Sequence, residues 1–225
     1  MDAGRRAAAR CVATTRVSGV ADTPQIVVLI KEPGTAKTRL AGALSGAERR
    51  RLATECATRA LSAAQEVGAT LAVCGGPGAV RVARRAGAEA LLERRPEGQN
   101  RAAERGLAAV VARGGSACLL LSSDLPLVDA GSLRRLLQRA AEVDGPVAVA
   151  APALGRQGTN ALFLRPIGDF DLHFGEASLV RFAEEARRRD REFVVHHEPG
   201  LALDLDEPED LATLERWRTG TAETG

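Results

Sequence analysis

The chain has 225 residues and a mass of 23.6 kDa, which fits a single domain. Hydrophobic residues make up 45% and charged residues 27% of it, enough for a sizeable core and unlike a disordered chain. The net charge of +2 and aromatic content of 3% argue against a nucleic-acid partner. Because no segment approaches the roughly 18 to 20 apolar residues of a membrane span, we expect no membrane partner either.

The N-terminal segment is rich in arginine but has no apolar stretch of the secretory-signal type. We expect residues 1–24 to be a disordered extension, residues 25–218 to form one domain, and residues 219–225 to be a C-terminal tail. The four cysteines lie far apart without a CxxC pair, which argues against a disulfide framework or a zinc site. This cysteine usage favours a reducing, cytoplasmic location.

Predicted strands and helices alternate along the chain. Short apolar runs predict buried strands at 25–30, 70–74, 89–92, 117–122, 147–151, 160–164 and 192–196. Helical spacing of apolar residues predicts helices at 47–66, 100–113, 131–142, 177–189 and 208–217, and a short helix that ends near residue 86. The sequence therefore predicts a three-layer α/β domain with a mostly parallel sheet, whose ligand lies at the carboxyl ends of the strands.

The loop after the first strand contains both lysines of the chain, Lys31 and Lys37, whereas 29 residues are arginine. A Walker A loop of the form GxxxxGK[ST] is excluded, because positions 31 and 36 hold Lys and Ala instead of Gly. Lys31, Lys37 and Arg39 beside a helix start would suit the phosphates of a triphosphate. From spacing alone, a solvated basic loop is the alternative.

Acidic residues follow two of the predicted strands. Asp124 lies at the carboxyl end of the predicted strand 117–122, where open α/β sheets bind ligands and where a carboxylate could hold Mg²⁺. The alternative is that Asp124 forms a hydrogen bond within its own turn. Asp204 and Asp206 alternate, so their carboxylates share one face of an extended segment. Asp204 is the better metal candidate, because Asp206 could instead be the N-cap of the last helix.

Small polar residues form the last candidate site. Thr159 lies at the start of a predicted strand, and Gly175 and Ser178 lie at the start of helix 177–189. Their hydroxyl and amide groups would suit an anion, and ordinary turn and capping chemistry is the alternative.

Five segments carry a resemblance to a known family: KTRLAGAL, SDLPLV, GTNALFLRP, FGEAS and PGLALDLDEPEDL. Over residues 25–215 the chain resembles the CofC/FbiD family of guanylyltransferases, which act on a phosphorylated three-carbon acid in coenzyme F-420 biosynthesis. The resemblance implies a GT-A-like nucleotidyltransferase fold and Mg²⁺-dependent transfer of GMP from GTP with release of diphosphate. Phosphoenolpyruvate is the favoured acceptor, ahead of 2-phospho-L-lactate and 3-phospho-D-glycerate, and a downstream transferase would consume the product.

The resemblance also implies roles for individual residues. The phospho-acid-binding positions of the family match Thr159, Gly175 and Ser178, its metal-binding acids match Asp124 and Asp204, and its triphosphate segment includes Lys37 and Arg39. Asn100 keeps the Asn of a Leu-Asn pair that is common in the family, although Gln99 replaces the Leu.

Two other functions remain open at this point. One is a different nucleotidyl or sugar transferase of the same fold, which would need a Gly-rich loop of the LAGGxS type where this chain has LIKEPG. The other is a non-catalytic nucleotide-binding module. The chain keeps Asp124, Asp204 and both lysines, which argues against a module that has lost its catalytic activity.

Overall fold

The computed structural model describes residues 25–219, in which strands and helices alternate as expected. The strands are β1 (Gln25–Ile30), β2 (Ala69–Cys74), β3 (Glu89–Leu92), β4 (Cys118–Ser122), β5 (Val147–Pro152), β6 (Thr159–Arg165) and β7 (Glu192–Val195). The α-helices are α1 (Gly46–Gln65), α2 (Pro77–Arg85), α3 (Gln99–Val111), α4 (Ala130–Ala141), α5 (Ser178–Arg188), α6 (Pro199–Ala202) and α7 (Pro208–Arg218). The predicted extension 1–24 and residues 220–225 of the predicted tail lie outside the described residues.

The strands form one sheet in the order β3-β2-β1-β4-β6-β5-β7. Within the described residues only β6 runs antiparallel to its neighbours, β4 and β5. The predicted α/β class and mostly parallel sheet are therefore confirmed. The sequence did not predict α6 or the 3-10 helix Thr38–Gly42, because neither is long enough to show a helical period.

Apolar side chains on both faces of the sheet produce the three layers. Alternate residues of β1 point to opposite faces: Ile26, Val28 and Ile30 pack in the core beneath α1, α2 and α4, whereas Val27 and Leu29 pack in the core beneath α3 and α5. Gly106 lets α3 approach the sheet closely, since a Cβ there would lie 2.5 Å from Cγ1 of Val27.

The sheet topology brings several loops to one edge. The carboxyl ends of β1 and β4 lie side by side, because Leu29 pairs with Ser122 in parallel register. β6 is antiparallel to β4 and pairs Ala161 with Leu121, so β6 starts where β4 ends. Thr159 therefore lies at the same edge as the loops that follow Ile30 and Ser122.

The segment 203–206 reaches this edge through a small third core. Leu203 and Leu205 are buried with Cys56 and Leu214, which turns the alternate residues, Asp204 and Asp206, toward the opposite side. The backbone amide of Leu205 donates to the carbonyl of Asp124 at 3.2 Å. This bond joins the segment to the loop after β4.

Cys56, Cys74 and Cys118 are buried free thiols, and Cys11 lies outside the described residues. Burial raises the pKa of Cys56 to about 11 and the pKa of Cys74 and Cys118 to about 12, so all three are protonated at neutral pH. Over residues 25–219, no helix has the length and hydropathy needed to cross a membrane.

Candidate active site

Three aspartates meet at the carboxyl edge of the sheet. Asp124, Asp204 and Asp206 each offer one carboxylate oxygen, and these oxygens all lie within 4.8 Å of one another. Asp206 is not the N-cap of the last helix, because Glu207 occupies that position and forms a capping box with Asp210. The alternative considered for Asp206 is therefore wrong, and its carboxylate belongs with the other two.

Asp204 is the most deeply buried of the three aspartates, with 9% of its surface exposed. Burial, helped by the negative charge of Asp124, raises its pKa to about 6, although Arg156 opposes this shift. Close packing of three acids thus makes the ionised cluster costly without a positive partner.

Lys37 supplies part of that positive charge. Its Nζ donates to the carbonyl oxygen of Leu205 at 2.5 Å and lies 3.6 Å from Asp124 and 3.8 Å from Asp206. Lys37 adopts a left-handed backbone conformation, with φ of 59°, which is uncommon for a residue other than glycine. Its side chain, only 4% exposed, faces the aspartates from within the protein.

The other two predicted phosphate-binding cations lie differently. Arg39 is largely exposed and pairs with Glu207 at 3.3 Å. Lys31 is exposed and lines the cleft beside Arg39 and Asp124. The structure thus places Lys37 against the aspartates, whereas Lys31 and Arg39 face the open cleft.

Arg156 is a site residue that the sequence analysis missed. Its guanidinium donates to Asp204 at 2.8 Å and to Asp210 at 2.7 Å. The carboxylate of Asp210 also accepts the backbone amides of Asp206 and Glu207, each at 2.7 Å. Arg156 therefore ties the start of α7 to the aspartate cluster. Nothing in the sequence singled it out from 28 other arginines.

The predicted phospho-acid-binding residues lie beside the aspartate cluster. Thr159 and Gly175 line one cleft with Asp204 and Asp206. Ser178 is fully buried, and its hydroxyl donates to the hydroxyl of Thr159 at 3.0 Å. Gly175 has a φ of +121°, a conformation that side chains disfavour. Thr159 and Gly175 can therefore contact a ligand, and Ser178 fixes Thr159 from behind.

Asn100 holds the loop that carries Gly175. Its side-chain amide donates to the carbonyl of Phe174 at 3.1 Å, and its side-chain oxygen accepts the Phe174 amide at 2.7 Å. Its neighbour Gln99 donates to the hydroxyl of Ser122 at 3.2 Å, at the end of β4. The start of α3 is thus bonded to both the Gly175 loop and the central strand.

A second cleft lies beside the first. Its volume is about 240 Å³, and its walls include the apolar residues Leu29, Val73 and Ala102. The cleft with Thr159 and Gly175 has a volume of about 640 Å³. Lys31, Gln99, Ser122 and Asp124 line both clefts. The geometry therefore suits two ligands that meet beside Asp124, one of them with a large apolar part.

The loop between β1 and the 3-10 helix is anchored to α2. The carboxylate of Glu32 accepts the backbone amides of Gly78 at 2.8 Å and Ala79 at 3.3 Å. Those amides lie in the first turn of α2, where helical partners are lacking. Glu32 thereby fixes the loop that carries Lys31 and Lys37.

The aspartate cluster fits a hard divalent cation. Its carboxylate oxygens are the ligand type that Mg²⁺ prefers, and burial together with the negative charge of Asp124 raises the pKa of Asp204, so a bound cation would favour its ionised form. Lys37 and Arg156 are the cations that contact the three acids among the described residues. The residues that would hold such an ion are Asp124, Asp204 and Asp206.

Comparison with known proteins relates the whole described domain to one family. The family model described as "Guanylyl transferase CofC like" matches residues 24–221. A phosphoenolpyruvate guanylyltransferase of Rubrobacter xylanophilus is 39% identical over 191 residues, which cover 84% of this chain and 92% of that protein. A 3-phospho-D-glycerate guanylyltransferase of Phenylobacterium zucineum is 34% identical and covers 82% and 86% of the two chains.

A solved structure supports the fold independently. A protein from Desulfovibrio desulfuricans, described as a nucleotide-diphospho-sugar transferase, superposes with a TM-score of 0.72 over 89% of this chain and 90% of its own. The two sequences are 17% identical, so this likeness concerns the fold alone. The predicted GT-A-like nucleotidyltransferase architecture is confirmed.

Proposed function

The chain belongs to the family of guanylyl transferases like CofC, and on that premise we propose that it transfers GMP from GTP to the phosphate of a phosphorylated three-carbon acid. The observation that carries this proposal is the aspartate cluster of Asp124, Asp204 and Asp206 at the junction of two clefts. One cleft has the apolar wall that a nucleoside needs. The other has the hydroxyl and amide groups that suit a small anion.

We propose phosphoenolpyruvate as the acceptor. A relative named phosphoenolpyruvate guanylyltransferase is 39% identical, and the match covers 84% of this chain and 92% of that protein. A 2-phospho-L-lactate guanylyltransferase of Methanothermobacter thermautotrophicus matches over only 96 residues. Since the possible acceptors differ by a double bond, a hydroxyl or the position of the phosphate, the test below includes all three.

In the reaction, an oxygen of the acceptor's phosphate forms a bond to the α-phosphorus of GTP. The bond from that phosphorus to the oxygen bridging to the β-phosphorus breaks, and diphosphate leaves with the electron pair. A phosphate monoester is already largely dianionic near neutral pH, so no protein base has to remove a proton. The main difficulty is the approach of two polyanions, which positioning and positive charge relieve.

Each group of site residues has a share in this task. Asp124 and Asp204, with Asp206, would hold Mg²⁺, which when bound neutralises negative charge on phosphate oxygens. Lys31 and Arg39 would neutralise the nucleotide phosphates, and Lys37 balances the negative charge of the aspartates. Thr159 and Gly175 would bind the acceptor, and Ser178 and Asn100 would hold them in position.

The proposal extends to the setting of the reaction. We propose that the chain acts in the cytoplasm within coenzyme F-420 biosynthesis. The product joins the acid to guanosine through a diphosphate, so a downstream transferase would take over the acid together with its own phosphate and release GMP.

The test is diphosphate release from GTP and Mg²⁺, with phosphoenolpyruvate, 2-phospho-L-lactate and 3-phospho-D-glycerate supplied separately. We expect release with phosphoenolpyruvate, and a product-consuming transferase in the assay prevents product inhibition. Release with another acceptor would correct the acceptor and keep the reaction. If no diphosphate is released with any of the three acceptors although GTP still binds, the result would contradict the transfer function and favour a nucleotide-binding module.

A matched pair of variants tests the role of the aspartates. We expect Asp124→Asn to lower turnover by about 100-fold or more, the scale for losing a preorganised charged group. Asp144→Asn makes the same chemical change at an exposed loop position and should leave turnover within about twofold of the unaltered protein. Turnover of Asp124→Asn within a few-fold of that control would exclude the proposed metal ligand.

A further inference from the structure

The apolar cleft has an end that lies away from the aspartate cluster. Lys31, Gln99, Ser122 and Asp124 form the end shared with the acceptor cleft. Glu93, Pro96 and Ala102 line the apolar cleft without lining the other. If the phosphates of a nucleotide lie at the shared end, its base lies toward Glu93.

Glu93 is an uncommon residue at such a place, because its side chain is only 5% exposed and carboxylates are rarely buried unless they are paired. It follows β3, and its backbone amide donates to the carbonyl of Cys74. The other acids that line this cleft have roles elsewhere: Glu32 caps α2, and Asp124 lies in the aspartate cluster. Glu93 is therefore the carboxylate at the base end.

The hydrogen bonds of Glu93 leave part of its capacity free. Arg105 donates to Oε1 of Glu93 at 2.6 Å, and no hydrogen bond from the described residues reaches Oε2. A carboxylate offers about four lone-pair sites. Arg105 also donates to Glu97 at 2.7 Å and to the carbonyl of Arg95 at 3.1 Å. Arg105 thus holds the carboxylate of Glu93 in a fixed orientation, with room for two more donors.

Guanine has the complementary pattern. Its Watson–Crick edge carries the N1–H and the 2-amino group side by side, and both are donors. Adenine instead presents the unprotonated N1, a lone pair that a carboxylate would repel. Buried polar groups of a site discriminate strongly against an analogue that leaves them unpaired.

We propose that Glu93 is the residue that selects guanine, by accepting hydrogen bonds from the N1–H and the 2-amino group of the base. The inference rests on the proposed function, since it takes the nucleotide to lie in the apolar cleft. It adds to that function a specificity-determining residue and a chemical reason for the choice of GTP over ATP.

The test compares equilibrium binding of GTP and inosine triphosphate, which lacks only the 2-amino group, by calorimetry in Mg²⁺ buffer without acceptor. We expect the unaltered protein to bind GTP about 10-fold or more tightly than inosine triphosphate, the scale for one hydrogen bond to a charged group. We expect Glu93→Gln to bring the two affinities within about threefold of each other, mainly by weakening GTP binding.

Glu97→Gln is the matched control. It removes the other carboxylate bonded to Arg105, but Glu97 does not line the cleft. It should keep the preference of the unaltered protein for GTP. A Glu93→Gln variant that keeps this preference, or a Glu97→Gln variant that loses it equally, would overturn the assignment. Equal binding of GTP and inosine triphosphate by the unaltered protein would also overturn the assignment, and this measurement does not depend on the folding of any variant.

The binding assay also separates this inference from the proposed function. Loss of the preference for GTP in Glu93→Gln supports the inference even if no acceptor is ever guanylylated. Guanylyl transfer together with an unchanged preference in Glu93→Gln refutes the inference and leaves the function in place.

Discussion

Removal of the charge of Asp204 should stabilise the protein when divalent metal is absent. The carboxyl group has an ordinary pKa of 3.8 and a folded-state pKa of about 6, raised by burial and by Asp124. Between these two values the folded chain holds a proton that the unfolded chain has released, so stability falls as the pH rises through this window. Above about pH 6 the full cost of ionising the buried group persists.

The size of this cost follows from the shift. At about 1.36 kcal/mol for each unit of pKa, the difference amounts to about 3 kcal/mol at pH 7.5 and about 1 kcal/mol at pH 4.5. Asp204→Asn removes the charge and nearly keeps the shape. We therefore expect its free energy of unfolding to exceed that of the unaltered protein by up to about 3 kcal/mol at pH 7.5, or about 6 to 12 °C in Tm.

Thermal or urea unfolding in EDTA at the two pH values measures the effect. Asp210→Asn is the control, because Asp210 has the same partner, Arg156, but the opposite pKa shift. Burial raises the pKa of Asp210, but hydrogen bonds from Arg156 and from the backbone amides of Glu207 and Asp206 outweigh burial and lower it. Asp210→Asn should be less stable than the unaltered protein at pH 7.5. If Asp204→Asn is no more stable than the unaltered protein in EDTA, or if its advantage does not shrink at pH 4.5, the reasoning is refuted.

Two further predictions concern the acceptor loop and the core. Asn100→Asp keeps the acceptor for the Phe174 amide but loses the donor to the Phe174 carbonyl. We expect the KM for the phospho-acid to rise about 10-fold and the KM for GTP to stay nearly constant. Equal changes in both KM values would contradict the placement of the acceptor beside the Gly175 loop. Gly106→Ala puts a Cβ 2.5 Å from Cγ1 of Val27 and should lower the free energy of unfolding, measured by thermal unfolding, by about 1 to 3 kcal/mol. Gly42→Ala is the control, because no atom lies within 4 Å of its Cβ, and it should lower that free energy less. Equal losses of stability would contradict the close packing of α3.

The sequence predicted the strands well because most of them are continuous apolar runs. β4 is one example: all but its last residue are buried on both faces of the sheet, so its apolar run has no competing explanation. The alternation in 203–206 also predicted that Asp204 and Asp206 share a face, and Leu203 and Leu205 are indeed buried opposite to them. Both patterns are local, and local patterns can be read from sequence.

Other features of the site depend on contacts that are distant in sequence. Lys37 bonds to Leu205 across 168 positions, and its side chain reaches the aspartates from a left-handed backbone that no motif indicated. Arg156 meets Asp204 across 48 positions, in a loop without a recognisable pattern. The N-cap of α7 differed by one residue, at Glu207 rather than Asp206, because both positions offered a carboxylate before Pro208.

The most direct measurement follows the two ends of the GTP phosphate chain. GTP labelled at the α-phosphate or at the γ-phosphate is incubated with phosphoenolpyruvate and Mg²⁺, and the products are separated. Guanylyl transfer predicts that the α-label appears in a new compound together with the acceptor and that the γ-label leaves as diphosphate. Transfer of the γ-label to the acceptor, or release of the γ-label as phosphate with the α-label retained in GDP, would contradict the central claim.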